Sequence, residues 1–265
     1  RRQRQMCIRD RALSDSSLAQ QIRNDSENYF WGTADVVVDH PDKIISSRNE
    51  NELHLMTQLA PHFREIKEEL IIVSPYFVPG DEGVEFFKTL VDKGVRVRIL
   101  TNSLSSNDVG VVHAGYSVYR QDLLRNGVEL YEMNKKLSRS QRKEKKGVGG
   151  SSKASLHAKT FVMDREKVFV GSLNLDPRSF YENSEIGLVI HSVEIAEGMA
   201  EALNDDFEER AFRLELEVDD EGDENLLWHG YEDGKPVTFD VDPYTSFWRR
   251  FGVGFMSLFP IESQL

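Results

Sequence analysis

The chain has 265 residues, a formal charge of −12 and 29% charged against 39% hydrophobic residues. That length buries a substantial core in one large or two small domains, and the acidity argues against a general nucleic-acid surface, which is usually basic. The single cysteine, Cys7, excludes an internal disulfide and a cysteine metal cluster, and no run approaches the roughly twenty apolar residues needed to cross a bilayer.

Residues 1–11 are rich in Arg and Gln and lack the apolar core of a signal peptide. They read as a non-native remnant or a linker, residues 12–50 as an inter-lobe linker and entry segment, and residues 51–265 as the folded lobe. From Asn51 to Glu69, Leu53, Met56, Leu59, Phe63 and Ile66 recur at helical spacing, and Leu70 to Val78 reads as a buried strand. A helix over Val84 to Val91 closes near Gly94, a strand follows over Val95 to Thr101, a helix over Tyr116 to Arg125 closes at Gly127, and Val128 to Tyr131 forms another strand. This βαβαβ run predicts a mixed, largely parallel sheet covered by helices, an α/β fold in a single lobe. Tyr76 lies at the end of the first parallel strand, where open α/β sheets bind ligands, and is a candidate substrate contact. His113, at a loop-to-helix junction, is a second.

Lys135 to Lys146 contains seven basic residues and one acidic residue, and glycines and serines follow. The segment reads as a mobile loop; if it meets anionic headgroups, each basic residue contributes about 1 kcal/mol. Leu156 to Met163 has the apolar, β-branched and aromatic character of a strand. Residues two apart on a strand share one face, so His157 and Lys159 point the same way. After an Asp164-Arg165-Glu166 turn, Lys167 to Val170 reads as a second strand that brings Gly171, Ser172 and Asn174 back to the rim of that face. Lys159, Ser172 and Asn174 are donors suited to the charge on a phosphoryl group in transfer. His157 can attack phosphorus or protonate a leaving oxygen. These groups can break a phosphodiester without a metal or a cofactor, and none is expected. Arg178, after Asp176-Pro177, is a candidate phosphate contact.

Ile186 to Ile190 reads as a strand, Val193 to Glu209 as an amphipathic helix, and Leu214 to Val218 with Leu226 to Val241 as β-rich, turning at Asp233-Gly234. In the tail, Phe247, Phe251, Phe255 and Leu258 fall on one helical face with Trp248 beside them. Such a stripe closes a domain core or lies in a membrane interface.

The spacing HxKx4Dx6GSxN, carried by His157, Lys159, Asp164, Gly171, Ser172 and Asn174, resembles the signature of the phospholipase D superfamily at each fixed position. Glu185, in Asn183-Ser184-Glu185-Ile186-Gly187, stands where that family carries the glutamate that orients the motif histidine. The stretch SPYFVPGDEGVEFFKTLVDKGVRVRILTNSLSSNDVGVVHAGYSVYR and the ending FPIESQL are similar to the bacterial cardiolipin synthase C-type branch. The resemblance implies a phospholipase D-like α-β-α sandwich and a phosphatidyltransferase that acts on phospholipids, peripheral at the cytoplasmic side of the bacterial inner membrane. Such enzymes carry two motifs. None of His40, His54, His62, His113, His191 and His229 begins a second one here. The resemblance therefore implies a C-terminal lobe whose partner is a missing N-terminal lobe with the first motif.

Three functional readings follow. The first is the catalytic lobe of a cardiolipin-forming phosphatidyltransferase, with His157 as nucleophile or general acid and the lobe inactive alone. The second is a single-motif phosphodiesterase or nuclease that pairs two chains, against which the acidity weighs. The third is a lobe that binds lipid or a partner protein without turnover.

Overall fold

The computed structural model describes residues 30–48, 50–136 and 156–259. The compact unit Gly32–Leu265 contains strands β1 (Thr33–Val38), β2 (Glu69–Val73), β3 (Arg96–Asn102), β4 (Glu129–Met133), β5 (Thr160–Met163), β6 (Lys167–Gly171), β7 (Ile186–His191), β8 (Ala211–Val218), β9 (Glu224–Glu232) and β10 (Lys235–Phe239). Its helices are α1 (Leu55–Arg64), α2 (Gly80–Asp92), α3 (Gly110–Ser117), α4 (Arg120–Arg125), α5 (Pro177–Tyr181), α6 (Val193–Arg210) and α7 (Phe247–Met256). The strands join in one sheet ordered β1-β7-β6-β5-β2-β3-β4-β8-β9-β10.

The sheet is mixed and flanked by helices, as expected, but its parallel part is smaller than the βαβαβ run implied. Among the named strands of the described residues, only β2 with β3 and β3 with β4 pair in parallel. The other neighbours are antiparallel, because β5, β6 and β7 form a meander on one side and β8, β9 and β10 one on the other. Tight turns build these meanders. Asp164 and Arg165 take φ of 51° and 53°, and Asp233 and Gly234 take 49° and 79°; two consecutive positive φ values make the primed turns that suit twisted hairpins.

Period-2 alternation divides the central strands between two cores. Leu70 and Ile72 of β2 pack with Leu59 and Phe63 of α1 and Phe87 and Leu90 of α2, whereas Ile71 and Val73 face Ala196, Ala200 and Phe207 of α6. Both faces of β2 are therefore buried, as the unbroken apolar run ELIIV requires. The expected sandwich of helices on both faces of the sheet is present.

Several boundaries differ from the sequence reading. The lobe expected to start at Asn51 begins earlier, since β1 pairs along its length with β7 inside the unit that starts at Gly32. The helix expected over Tyr116 to Arg125 divides into α3 and α4, with a turn closed by Tyr119 N–H donating to Tyr116 O at 3.0 Å. Residues 1–11 and nearly all of the basic segment lie outside the described residues.

His113 does not face a cavity, contrary to expectation. It is 1% exposed, bonded through Nε2 to Arg120 and 3.3 Å from Asp242 Oδ1. Burial, with Arg120 second, pushes its imidazole down to about 4. Arg120 Nη2 also lies 2.9 Å from both Glu132 Oε1 and Asp242 Oδ1, and Trp228 Nε1 donates to Glu132 Oε2 at 3.0 Å. The group ties α3 and α4 to β4, β9 and the loop before α7. Buried charges persist only where partners compensate them, so His113 is a neutral member of a structural cluster, not a substrate contact.

Candidate active site

The antiparallel addition of β5 to β2 brings the start of β5 to the edge where β2, β3 and β4 end. Asn102, the last residue of β3, reaches across that edge. Its Oδ1 accepts from Leu156 N–H at 3.0 Å and its Nδ2 donates to Leu156 O at 3.3 Å and to Pro75 O at 3.2 Å. A side-chain amide thus takes the place of a strand neighbour for Leu156 and fixes the backbone just before His157. The regular strand begins at Thr160, later than Leu156, so His157 and Lys159 precede the strand on a segment tethered at both ends. Gly171 N–H donates to Lys159 O at 3.2 Å and secures the second end.

His157 is exposed and Lys159 half-buried. The Lys159 ammonium donates to His157 O at 3.1 Å. Burial disfavours its charged form and holds its pKa below the ordinary lysine value, while Glu185 and Asp176 act in the opposite sense. Both carboxylates thus act on the lysine through charge, without an ion pair to it among the described residues. Asp176 is itself pushed up by burial and, after a backbone bond that opposes this, by the charge of Glu185.

The Gly171-Ser172-Leu173-Asn174 segment closes over the same edge. Gly171 pairs with Gly187, and a Cβ on Gly171 would lie 2.6 Å from Ile186 O, while one on Gly187 would lie 2.6 Å from Cζ of Phe169. Only glycine permits so close an approach. Ser172 Oγ donates to Glu185 Oε2 and accepts from Ile186 N–H at 3.1 Å. Asn183 Nδ2 donates to Glu185 Oε1 at 3.2 Å. Glu185 therefore bonds Ser172 and Asn183, not His157, whose ring makes no hydrogen bond among the described residues. Asn174 is buried beside this group, with Oδ1 unpaired among the described residues.

Lys159, Ser172, Asn174 and Glu185 thus gather at one edge with His157 next to them. Asp164 does not join them. It lies at the far end of β5, five residues beyond Lys159, or about 16 Å at roughly 3.3 Å per strand residue. There Oδ2 accepts from Lys67 N–H at 2.9 Å, and Oδ1 accepts from Glu68 and Glu69 N–H at 2.8 and 2.9 Å. Asp164 is a clamp on the chain entering β2. Tyr76 is at the site's margin: its hydroxyl donates to Asp108 Oδ1 at 2.9 Å, and burial, that bond and nearby carboxylates push it up to about 12. Arg178, on α5, is exposed and makes no side-chain bond among the described residues.

Sequence reasoning missed Asp176, Asn102 and the pair Asp39–Lys43. Asp176 caps α5 by accepting from Ser179 N–H at 2.8 Å, and the Asp-Pro start of that helix was a readable signal. Lys43 Nζ lies 2.7 Å from Asp39 Oδ2, both side chains 1% exposed. No sequence signal marks a lysine for burial, since most are solvated.

The fold is shared with the phosphatidylserine synthase of Haemophilus influenzae Rd KW20, at 16% identity and a TM-score of 0.51 over 68% of this chain and 39% of that one. The family model described as cardiolipin synthase, PLD-like domain, matches residues 59–208, and the chain belongs to that family. It is 39% identical over 233 residues to cardiolipin synthase C of Escherichia coli (strain K12), covering 88% of this chain and 48% of the relative. It is 31% identical over 163 residues to cardiolipin synthase A of Yersinia pseudotuberculosis serotype O:3 (strain YPIII), covering 62% of this chain and 29% of the relative. The chain spans about half, or less, of these curated relatives.

Asp164→Ala leaves three N–H groups without their acceptor and places alanine at positive φ; the expected loss of stability is about 2–3 kcal/mol. Asp164→Asn keeps the Oδ1 bonds and loses less. Urea unfolding of both variants measures this, and equal losses would contradict the clamp.

Proposed function

We propose that the chain is the C-terminal catalytic lobe of a phosphatidyltransferase that makes cardiolipin by metal-independent transphosphatidylation, acting on phospholipids and inactive without an N-terminal lobe. The observation that carries this reading is the gathering of Lys159, Ser172, Asn174 and Glu185 beside His157 at one sheet edge, in a chain of the cardiolipin synthase family.

In this reading the nucleophilic histidine belongs to the missing lobe and attacks phosphorus of the donor phospholipid. A phosphorus–nitrogen bond forms, the bond to the leaving glycerol oxygen breaks, and His157 as imidazolium gives that oxygen its proton. The neutral His157 then takes a proton from the acceptor hydroxyl, whose oxygen attacks the phosphohistidine and restores both histidines. Lys159 and the Asn174 amide act on the phosphoryl oxygens. Glu185 orders the Ser172 hydroxyl. Arg178 is exposed near the start of α5 and is retained as an outer phosphate contact, with Tyr76 at the margin. Asp164 acts only through the fold.

The same proposal seats the lobe at the cytoplasmic face of a bacterial inner membrane. No helix among the described residues is long and apolar enough to cross a membrane. Instead α7 fixes itself by Val253 against Leu104 and Ala114, and Arg249 donates to Asn107 O at 2.9 Å. Its aromatic stripe is turned outward, with Trp248 76% and Leu258 79% exposed beside Phe247, Phe251 and Phe255. An amphipathic helix of this kind suits an interface, its apolar side among acyl chains.

In the intact two-lobed parent, His157→Ala is expected to reduce cardiolipin formation from phospholipid donors by at least about a hundredfold; unchanged output would sink the transferase reading. The lowered pKa of Lys159 gives a sign for pH dependence. The ammonium is lost at lower pH than an ordinary lysine, so the alkaline fall in rate it causes comes at lower pH than an unshifted lysine would give. Lys159→Arg stays charged and should remove the contribution of Lys159 to that fall, leaving only the limb set by loss of the His157 proton. An alkaline side that is superimposable in both proteins would show that Lys159 does not titrate in it. Flotation with anionic vesicles tests the membrane seat: replacing Phe247, Trp248, Phe251 and Phe255 by serine should abolish co-flotation, and retained binding would remove α7 from the interface.

A further inference from the structure

Beside the candidate site lies a cavity of about 770 Å³, within the roughly 300–1,000 Å³ range of small-ligand pockets. Its walls are Phe63 of α1, Phe77 after β2, Phe86 and Phe87 of α2, and Phe180 and Tyr181 of α5. Phe63, Phe77 and Phe87 are buried, while Phe86 and Tyr181 are 37% and 36% exposed and stand toward the opening. The lining is thus aromatic and aliphatic in its depth, with charged groups such as Arg48 and Arg64 at its margin.

One segment joins this cavity to the site. Leu175 and Pro177 line the cavity, and they alternate with Asn174 and Asp176. Phe77 bridges to Leu175, and Val78 N–H donates to Leu175 O at 2.7 Å, which holds the segment extended against the end of β2. Extended backbone turns successive side chains to opposite sides. The strand that presents polar groups toward Lys159 therefore closes the apolar cavity with its other side. Arg48 is already paired with Glu182 and lies 5.4 Å over the Tyr181 ring. Arg64 is exposed and makes no ion pair among the described residues.

We infer that this cavity receives an acyl chain of a phospholipid bound at the site. The inference rests on the phospholipid reading proposed above and adds where a chain lies and what sets chain-length preference. The deep walls offer no side-chain partners for ordered water and favour a hydrocarbon guest, while the charged groups at the mouth, Arg48, Arg64, Asp81 and Glu82, stay with solvent. Its common wall with the Asn174–Asp176 segment places such a guest next to the phosphate donors. The exposed stripe on α7 is a separate surface, built on α3 and the loop after β3.

The experiment measures binding of a series of monomeric n-alkyl phosphates of increasing length to the intact parent carrying His157→Ala, with inorganic phosphate as the headgroup-only control. Each methylene that enters the cavity should tighten binding about fourfold. Ala60 lines the cavity from α1, and Ala60→Phe should flatten that dependence while leaving phosphate binding unchanged. Affinity that ignores chain length, or an unaltered dependence in Ala60→Phe, overturns the inference. If Ala60→Phe does not fold, an alkyl phosphate with a terminal diazirine decides. Labels on the Phe63, Phe86 and Phe180 peptides support the cavity, and labels confined to α7 overturn it. Chain-length-dependent binding, together with absent cardiolipin formation by the parent that retains His157, would sink the transferase reading alone.

Discussion

The carboxylate of Asp39 holds together the edge on which the site depends. Its side chain is 1% exposed, and Oδ2 lies 2.7 Å from Lys43 Nζ. The same oxygen accepts from Glu185 N–H at 2.8 Å, and Oδ1 accepts from Leu55 N–H at 2.6 Å. One anion thus joins the end of β1, the start of α1 and the residue before β7. A carboxylate this deep is tolerable because a cation and two N–H donors replace its water. Lys43 is held in turn by Ser179 O at 3.2 Å, which extends the network to α5. Glu185 is fixed through its backbone, leaving its side chain to organise Ser172.

The sheet converts this local order into a site. A parallel β2-β3-β4 core ends its strands at one edge, where open α/β sheets usually bind ligands. Antiparallel β5 begins at that edge, so the residues before it arrive where β2 and β3 stop. Packing fixes the spacing: Phe161 and Phe169 stack with centroids 4.8 Å apart, and Gly171 and Gly187 allow the β6–β7 pair to close over Phe169. The Gly-Ser-Leu-Asn run is therefore as much a packing device as a source of donors.

Much of this was legible in the sequence, for identifiable reasons. An unbroken apolar run marked β2, β-branched and apolar residues beside arginines marked β3, Gly94 and Gly127 marked helix ends with φ of 90° and 78°, and Asp233-Gly234 marked a hairpin. The motif spacing led to the groups that meet at one edge. Other features depended on distant partners. β1 reads as a short polar-flanked run, and only its pairing with β7 makes it a strand. The antiparallel share of the sheet was hidden because local pattern does not encode strand direction. Asp164 belongs to the motif in sequence yet acts at the other end of the strand, since six residues, four of them in β5, lie between it and His157. His113 could not be told from a surface histidine until Arg120 and Asp242 were seen around it.

The geometry of phosphoryl transfer explains why one such edge supplies half of the proposed reaction. Entering and leaving groups lie roughly in line on opposite sides of phosphorus, so a histidine on one side serves one of them at a time. The remaining histidines of the chain are engaged elsewhere. His54 Nδ1 is 2.9 Å from Phe180 O, His191 Nε2 is 2.6 Å from Asp35 Oδ2 with His62 close by, and His229 Nδ1 is 3.0 Å from Thr238 Oγ1. His40 takes Asp42 N–H at 3.2 Å, and His113 is walled in by Arg120. In the proposed reaction the second histidine, opposite His157, comes from another polypeptide segment. The exposure of His157, unlike the buried Glu185 and Asn174, fits a group that meets its counterpart across an opening.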